Sequence, residues 1–314
     1  MITVLAGGVG AAKFLQGLVK VVSPEMLLVI VNTGDDIDFF GQHVSPDLDI
    51  VMYTLAGIVD EEKGWGVKGD TFNCLKMLEQ YGHEIWFKLG DKDLGTSIQR
   101  TCLLRNGFSL SQVTSSLCKS LDLSTKMLPM TNNKFETIVL TDKGRIHFEE
   151  YLIKREAKDQ VIGVEFHGVE NATPTQGVVD AIRVSDGIVI CPSNPIVSIG
   201  PIISLKGIRD ALRKTDAPVV GISPIVGGAP VKGPADKLMH GLGLDVSAYG
   251  VAAYYRDFVD GFIIDVMDAD QKERIEALKI EVCVTNTMMR SLSDKTRLAR
   301  VAMDMIEVCR HTTK

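Results

Sequence analysis

The hydrophobic positions of this chain fall into short runs, most of which are followed by a polar turn and then by a helical pattern. Runs of four or five apolar, mostly β-branched residues are typical of strands buried on both faces of a parallel sheet. Apolar residues that recur every three or four positions indicate the amphipathic helices between them. The sequence therefore predicts an α/β protein. Its predicted strands are residues 2–5, 27–31, 85–89, 188–190, 219–222, 262–264 and 281–284.

Two consecutive strands end in long polar loops of the same design. These loops span residues 191–201 and 223–234 and are rich in glycine, proline and serine. Proline fixes φ and glycine lets the backbone approach a ligand closely, so such loops are suited to holding one shape. Ligands of parallel sheets bind at the carboxyl ends of the strands. We therefore expect a binding site here, although both residues also punctuate loops without function. The candidates are Ser193, Asn194, Pro195, Ser223 and Gly228.

The first strand runs directly into a turn that contains Gly7, Gly8 and Gly10, and Lys13 follows in the next helix. A strand, a glycine-rich turn and a helix form the setting in which backbone N–H groups bind phosphate. The turn lacks the third glycine of a dinucleotide fingerprint, and Phe14 stands where a Walker A loop has serine or threonine. We predict an anion-binding turn with Lys13 beside a phosphate. The alternative is a tight turn that leaves Lys13 in solvent.

Charged residues follow two other predicted strands. Asp35 and Asp36 come soon after the second strand, where carboxylates often bind a ribose or a metal ion. An acidic turn exposed to solvent is equally compatible with that segment. Lys88 lies near the carboxyl end of the strand predicted at residues 85–89, where a site is also expected.

The helix that begins near Ser45 contains two further aspartates. Ser45 is placed to cap the helix, Pro46 suits its first position, and Asp47 complements the helix dipole. Asp49 lies beyond the cap and away from the apolar stripe, so helix formation does not explain its presence. We therefore predict a functional role for Asp49.

The middle third of the chain departs from the alternation of strands and helices. Residues 96–121 have a helical pattern that is broken at residues 106–107, and residues 135–153 are typical of a β-hairpin. No clear linker flanks this region. We predict a single domain over residues 1–314, with residues 95–165 as a smaller helical and β-hairpin insertion beside the parallel core.

The composition excludes several classes of function. The net charge of −6 over 314 residues argues against a general nucleic-acid-binding protein. The six cysteines are scattered, as in a reduced cytoplasmic protein, and do not form a zinc or disulfide framework. No apolar run approaches the roughly 18 residues of a membrane helix, and a strand at the very start leaves no room for a signal peptide. We expect a cytoplasmic protein with no membrane partner.

Several motifs are long enough to compare with a known family. They are Ala6-Gly7-Gly8-Val9-Gly10 with Lys13, Ser45-Pro46-Asp47-Leu48-Asp49, Lys88-Leu89-Gly90-Asp91, Pro192-Ser193-Asn194-Pro195 with Ser198-Ile199-Gly200-Pro201, and Ser223-Pro224-Ile225 with Gly233-Pro234-Ala235. Together they resemble the 2-phospho-L-lactate transferases, and the likeness covers nearly the whole chain. The chain departs from that family in the first loop, where relatives often carry threonine and proline and this chain has residues 9–12 without a hydroxyl. The stretch after the second strand also varies, which leaves Asp35 and Asp36 open as alternatives.

This resemblance implies a step in the biosynthesis of coenzyme F-420. A phospholactyl group would move from a guanosine-diphosphate-activated lactate to a hydroxyl of the deazaflavin FO, and GMP would leave. The likeness also implies a Rossmann-like core with helices on both faces, dependence on Mg²⁺ and a homodimer. Asp49 and Lys88 would contact FO, and the glycine- and proline-rich loops would bind the nucleotide. Asp49 could accept the hydroxyl proton, while Lys13 and a Mg²⁺ ion on Asp36 could stabilise the phosphate charge.

Two other functions fit parts of the sequence. A regulatory nucleotide-sugar-binding protein of the gluconeogenesis-factor type would share the glycine-rich start. It would carry a glycine- and serine-rich segment in place of residues 34–40 and a Pro-Gly-Asp stretch in place of residues 45–49. An NAD-dependent oxidoreductase is supported by the glycine turn alone. The sequence also leaves open whether lactate, enolpyruvate or glycerate is the activated acid.

Overall fold

The computed structural model describes residues 1–312, and its centre is a seven-stranded sheet in which neighbouring strands run parallel. The strands in chain order are β1 (Ile2–Ala6), β2 (Leu27–Val31), β3 (Ile37–Phe39), β4 (Gln42–Val44), β5 (Lys126–Pro129), β6 (Glu136–Thr141), β7 (Gly144–His147), β8 (Val161–His167), β9 (Gly187–Ile190), β10 (Val219–Ile222), β11 (Ile225–Val226), β12 (Ala229–Pro230), β13 (Gly261–Asp265) and β14 (Glu281–Thr285).

Helices connect most of these strands. They are α1 (Gly8–Leu18), α2 (Pro46–Leu55), α3 (Asn73–Gln80), α4 (Asp91–Arg105), α5 (Leu110–Ser120), α6 (Val178–Val184), α7 (Gly200–Ser204), α8 (Ile208–Lys214), α9 (Ala235–Gly241), α10 (Ala248–Tyr255), α11 (Lys272–Glu276) and α12 (Leu292–Thr312). Short 3₁₀ or π-helical turns lie at Pro24–Met26, Glu150–Lys154, Pro195–Ile199 and Val266–Gln271. None of the described helices is long and apolar enough to cross a membrane.

The order of strands in the main sheet is β14-β13-β10-β9-β1-β2-β5. From β1 the chain adds β2 and then β5 on one side. It then crosses to the other side of β1 and adds β9, β10, β13 and β14 in turn. The direction of winding therefore reverses between β1 and β9. In doubly wound sheets this reversal opens a crevice at the carboxyl ends of the two strands, where ligands bind. The predicted Rossmann-like α/β fold is confirmed.

Helices cover both faces of the sheet, as predicted. Successive strand residues point to opposite faces, so Val4 and Leu5 belong to two different buried apolar clusters. The cluster of Val4 is covered by residues of α1, α2, α5 and α12, and the cluster of Leu5 by residues of α6 to α11. Burial on both faces explains why the strand sequences are apolar runs with no alternation.

Two small antiparallel units lie beside the main sheet, one from the middle third of the chain and one from its first third. The predicted hairpin is confirmed as β6 and β7, and β8 adds a third strand in the order β7-β6-β8. The strands β3 and β4 form a separate hairpin. The predicted insertion at residues 95–165 contains β5, which pairs with β2 in the main sheet. The strand β5 therefore belongs to the parallel core. The division into one domain with an inserted subdomain stays a prediction.

The strand predicted at residues 85–89 does not form, and that prediction was wrong. Its alternating pattern is explained by a small apolar cluster that buries Leu89 against Phe39 and Leu75, with Trp86 and Phe87 packed at its edge. The Phe39 ring lies 5.8 Å from the Trp86 ring and 5.6 Å from the Phe87 ring, measured between centroids. These side chains are therefore buried by local packing, without strand pairing.

Candidate functional site

The loops that follow β1 and β9 meet at the switch point. Ser193 Oγ donates a hydrogen bond to the Gly7 carbonyl at 2.7 Å. A Cβ atom on Gly10 would lie 2.1 Å from the Pro192 carbonyl oxygen, so only glycine allows the two backbones to approach this closely. A Cβ atom on Gly7 would lie 2.8 Å from Cβ of Ser198. The glycine turn after β1 and the loop after β9 therefore form one structural unit.

The Asp47 carboxylate ties this unit to the end of β2. Its Oδ1 accepts from the Gly8 N–H at 2.7 Å, and its Oδ2 accepts from Asn32 Nδ2 at 2.9 Å. Asn32 Nδ2 also donates to the Val197 carbonyl at 3.1 Å. The helix dipole of α2 is thus an incomplete explanation for Asp47, which the sequence interpretation assigned to helix chemistry alone. The Gly8 amide is already used by the protein, so a ligand must bind other groups of the turn.

Ser45 does not cap α2, contrary to the prediction. Its Oγ donates to Asp36 Oδ2 at 2.9 Å, and His43 Nε2 lies 2.9 Å from the same oxygen. Pro46 occupies the first position of α2, as predicted. The side chain of Ser45 is turned toward Asp36, the predicted metal ligand, and orients it through a hydrogen bond that the carboxylate charge strengthens.

Three buried acidic residues and the half-buried Asp36 face one another beside the glycine turn, and we call them the carboxylate cluster: Asp35, Asp36, Asp47 and Glu149. Burial, and then the charges of Asp47, Glu149 and Asp36, raise the pKa of Asp35 well above its ordinary value. Burial, and then Asp47 and Asp36, raise the pKa of Glu149 to about 8. Burial also raises the pKa of Asp47 to about 6, although the bonds from Asn32 and Gly8 oppose it. The cluster favours a bound proton or cation.

The predicted Mg²⁺ ion can be tested against these residues. Within residues 1–312 no three His, Cys, Asp or Glu side chains are arranged to hold a metal ion by themselves. Mg²⁺, however, commonly binds through one or two carboxylates and completes its shell with water and substrate phosphates. Oδ1 of Asp35 and Oδ1 of Asp36 are buried and have no hydrogen-bond partner. The residues therefore fit a Mg²⁺ ion that shares Asp36 with a phosphate ligand.

Asp49 forms a buried ion pair that the sequence did not indicate. Its partner is Arg100 of α4, whose Nη1 donates to Asp49 Oδ2 at 3.1 Å while Nη2 contacts Oδ1. Arg100 Nη1 also donates to the His43 carbonyl at 3.3 Å. Burial raises the pKa of Asp49, and the Arg100 charge opposes that rise. Asp49 is therefore more basic than an exposed aspartate, and it also joins α2 to α4.

The other predicted residues are distributed along the same edge of the sheet. Asn194 Oδ1 accepts from the amides of Ile196 and Val197, and Ser223 Oγ donates to the Ile225 carbonyl at 2.8 Å. These two side chains hold the shapes of their loops, while Pro195 is buried and starts the π-helical turn. Gly228 has φ +78° and open space around it. The loops therefore present their backbone to the crevice.

Within residues 1–312, the two predicted lysines have no partners of opposite charge. Lys13 is half-buried on α1, and Lys88 is exposed in the loop before α4. Neither side chain forms an ion pair or a hydrogen bond within the described part of the chain. The structure gives no contact between Lys88 and Asp49 among the described residues, so their joint role in binding FO stays a prediction.

Sequence reasoning missed several residues of this region. Asn32 directly follows β2, and its position after a strand was a usable signal. Arg100 and Glu149 gave no signal, because each comes from a different part of the middle third and reaches the site only through folding. Lys232 was also missed, although it lies in one of the two loops that the sequence selected.

The strand order defines a Rossmann-like α/β protein, a class in which ligands bind at the switch point, here between β1 and β9. The sequence model of the family described as 2-phospho-L-lactate transferase CofD matches residues 2–306. The chain therefore belongs to the 2-phospho-L-lactate transferase CofD family and is a transferase. The regulatory and NAD-dependent alternatives are not favoured by this match.

Relatives support the same assignment. A 2-phospho-L-lactate transferase of Methanothermobacter thermautotrophicus is 43% identical, over 98% of this chain and 98% of the relative. A phosphoenolpyruvate transferase of Streptomyces griseus is also 43% identical, over 98% of this chain and 99% of the relative. A solved protein of the UPF0052 family from Bacillus halodurans is 17% identical and superposes with a TM-score of 0.65, over 96% of this chain and 98% of that one. That likeness shows a shared fold.

The pair of Asp49 and Arg100 can be tested by a double-mutant cycle. We expect Asp49→Asn and Arg100→Met each to lower the free energy of unfolding by about 3–5 kcal/mol, because each leaves one buried charge unpaired. The double variant should lose less than the sum of the two single losses. Urea unfolding is the measurement. The exposed pair Asp210 and Arg213, 3.9 Å apart on α8, is the control and should contribute less than about 1 kcal/mol. Additive losses at Asp49 and Arg100 would contradict the pairing.

The carboxylate cluster should make stability depend on pH. Because the pKa of Glu149 is raised from its ordinary value to about 8, the folded state retains a proton that the unfolded state loses. Stability should therefore fall as the pH rises from about 4.5 through about 8. We expect Glu149→Gln to raise the melting temperature at pH 8. The change in melting temperature at pH 8 should exceed the change at pH 5 by about 3 °C or more. The neighbouring Glu150→Gln is the control. An equal effect of Glu149→Gln at both pH values would refute this explanation.

Proposed function

We propose that this protein transfers a 2-phospho-L-lactate or related phospho-acid moiety from a guanosine-diphosphate-activated donor to a hydroxyl of FO, with release of GMP. The observation that carries this proposal is the family match over residues 2–306. It is supported by curated relatives whose names specify the transfer of 2-phospho-L-lactate or of phosphoenolpyruvate. Under this proposal the reaction is a step in the biosynthesis of coenzyme F-420.

The donor nucleotide would bind along the crevice between β1 and β9. The glycine turn at residues 7–10 and the loops at 193–195 and 223–228 present backbone groups there, since their polar side chains are used within the loops. Lys13 follows the glycine turn on α1 and is free of ion pairs within residues 1–312. Its ammonium group would neutralise part of the phosphate charge by charge-assisted hydrogen bonds.

The acceptor would be oriented by Asp49 and Lys88. The oxygen of the FO hydroxyl forms a bond to the β-phosphorus of the donor, and the bond from this phosphorus to the oxygen of GMP breaks. The hydroxyl proton passes to Asp49, whose basicity is raised by burial. Arg100 holds the Asp49 carboxylate in one orientation and stabilises α2 against α4. GMP leaves with the bridging oxygen.

A Mg²⁺ ion would be held by Asp36, which Ser45 and His43 orient through its other oxygen. When bound, such an ion neutralises phosphate charge and aligns the leaving group. After burial, the charges of Asp47 and Asp36 help to raise the pKa of both Asp35 and Glu149, so these two residues would retain protons or support the cation. The proposal also includes a homodimer in the cytoplasm, which size-exclusion chromatography and fractionation would test.

The function is tested by incubating the purified protein and Mg²⁺ with FO and a guanosine-diphosphate-activated acid. Separate reactions should contain the phospholactate, phosphoenolpyruvate and phosphoglycerate donors, because relatives of equal identity bear two of these names. We expect GMP and a phospho-acid ester of FO to form in equal amounts with at least one donor. Asp49→Asn should lower turnover by about 10²-fold or more per folded molecule, with the folded fraction measured separately because this variant is also expected to be less stable. Tight binding of sugar nucleotides without GMP release would contradict the proposal.

Lys13→Met deletes the charge and keeps most of the side-chain volume. We expect this variant to bind GDP about 10- to 100-fold more weakly, since a charge-assisted bond contributes about 1.5–3 kcal/mol. Its affinity for FO and the melting temperature of the ligand-free protein should hardly change. Lys20→Met, which removes an exposed lysine just after α1, is the control. Unchanged binding of GDP in calorimetry would mean that Lys13 lies in solvent and that loop amides hold the phosphate alone.

A further inference from the structure

We propose that Lys232 and Lys13 together bind the diphosphate of the nucleotide donor, each lysine from a different segment of the chain. This inference rests on the proposed function for the identity of the ligand, and on the structure for the position of the site. Lys232 lies between β12 and α9, in the loop that follows β10 along the chain. Sequence patterns selected that loop but gave Lys232 no role.

Three distant segments bring the two lysines together. Val9 precedes Lys13 by one turn of α1, so the two side chains share a face of that helix. A side chain on Gly64 would begin 3.8 Å from Cγ1 of Val9 and 3.4 Å from Nζ of Lys232. Gly64 has φ +71° and carries no side chain into this space. The loop around residue 64, the start of α1 and the loop before α9 therefore surround one small region.

The two ammonium groups have no counter-charge in this region. Lys232 is exposed at the surface, yet its pKa is lowered by partial desolvation and then by the nearby charge of Lys13. No carboxylate opposes this decrease of the pKa. Neither Nζ forms an ion pair or a hydrogen bond within residues 1–312. Neighbouring lysines are different, because Lys63 pairs with Asp60 and Lys295 donates to Gln16. Two adjacent like charges repel each other unless an anion lies between them.

A diphosphate matches this arrangement better than a monophosphate. Each ammonium group offers up to three donors and approaches from a different segment of the chain, so each can contact a different phosphate of the same ligand. The first turn amide is occupied by Asp47, which increases the share of phosphate charge that the lysines must neutralise. A site that prefers two linked phosphates would hold the donor and release GMP after the transfer. Lys232 would thus contribute to the discrimination between donor and product.

The test compares GDP, GMP and inorganic pyrophosphate in calorimetry. We expect Lys232→Met to weaken the binding of GDP and pyrophosphate by about 10-fold or more, and that of GMP by less than about 3-fold. Lys232→Arg should keep GDP affinity within about 3-fold, because it keeps the charge. Lys214→Met is the matched control, since it removes an exposed lysine at the end of α8, which precedes the amino end of β10. Melting temperatures confirm that each variant is folded.

The outcomes separate this inference from the proposed function. If Lys232→Met binds GDP and pyrophosphate as the wild type does, the inference is overturned while the proposed function stands. If the wild type binds pyrophosphate through Lys232 but does not bind GDP, the anion site stands and the proposed function fails. A double variant with Lys13→Met should show non-additive losses, because both lysines contact one ligand. Strictly additive losses would mean that the two lysines contribute to GDP binding independently, and they would overturn the pairing.

Discussion

The Asp47 carboxylate is the interaction on which the geometry of the site depends. One of its oxygens accepts from the amide of the glycine turn, and the other accepts from Asn32 at the end of β2. Asn32 also binds the carbonyl of Val197, so the loop after β9 is held by the same side chain. Four segments are thereby fixed at the switch point of the sheet. A charge-assisted hydrogen bond is strong in a buried environment, which suits a junction that must keep one shape.

Two kinds of charge lie in different parts of the candidate site. Asp35, Asp36 and Glu149 lie near the ends of β2 and β7, whereas Lys13 and Lys232 lie on α1 and in the loop before α9. Carboxylates buried together raise one another's pKa and favour protons or a cation, while unpaired ammonium groups favour an anion. A diphosphate accompanied by Mg²⁺ would match both groups, with the cation at the carboxylates and the phosphates at the lysines. This complementarity supports a phosphoryl donor more than it supports an uncharged ligand.

Local patterns were sufficient where one interaction decides the outcome. The apolar runs at β1, β2, β9 and β10 correspond to buried parallel strands because nothing but a covered sheet can accept such residues. Patterns failed where two interactions compete. Ser45 bonds to Asp36 and leaves the end of α2 uncapped, and the alternating residues 85–89 pack into a local cluster without pairing as a strand. In both places a tertiary contact is stronger than the local preference.

The sequence by itself determined the α/β fold, the family resemblance and the loops that carry the candidate site, because each is encoded in contiguous residues. The family match confirms the resemblance, whereas the roles of Asp49, Lys88 and Asp36 stay predictions. Only the tertiary structure decided that Arg100 pairs with Asp49, that Glu149 joins the carboxylate cluster and that Lys232 lies within electrostatic reach of Lys13. Electrostatic partnership depends on distance in space, and residues such as Asp49 and Arg100, 51 positions apart, become neighbours only when the chain has folded.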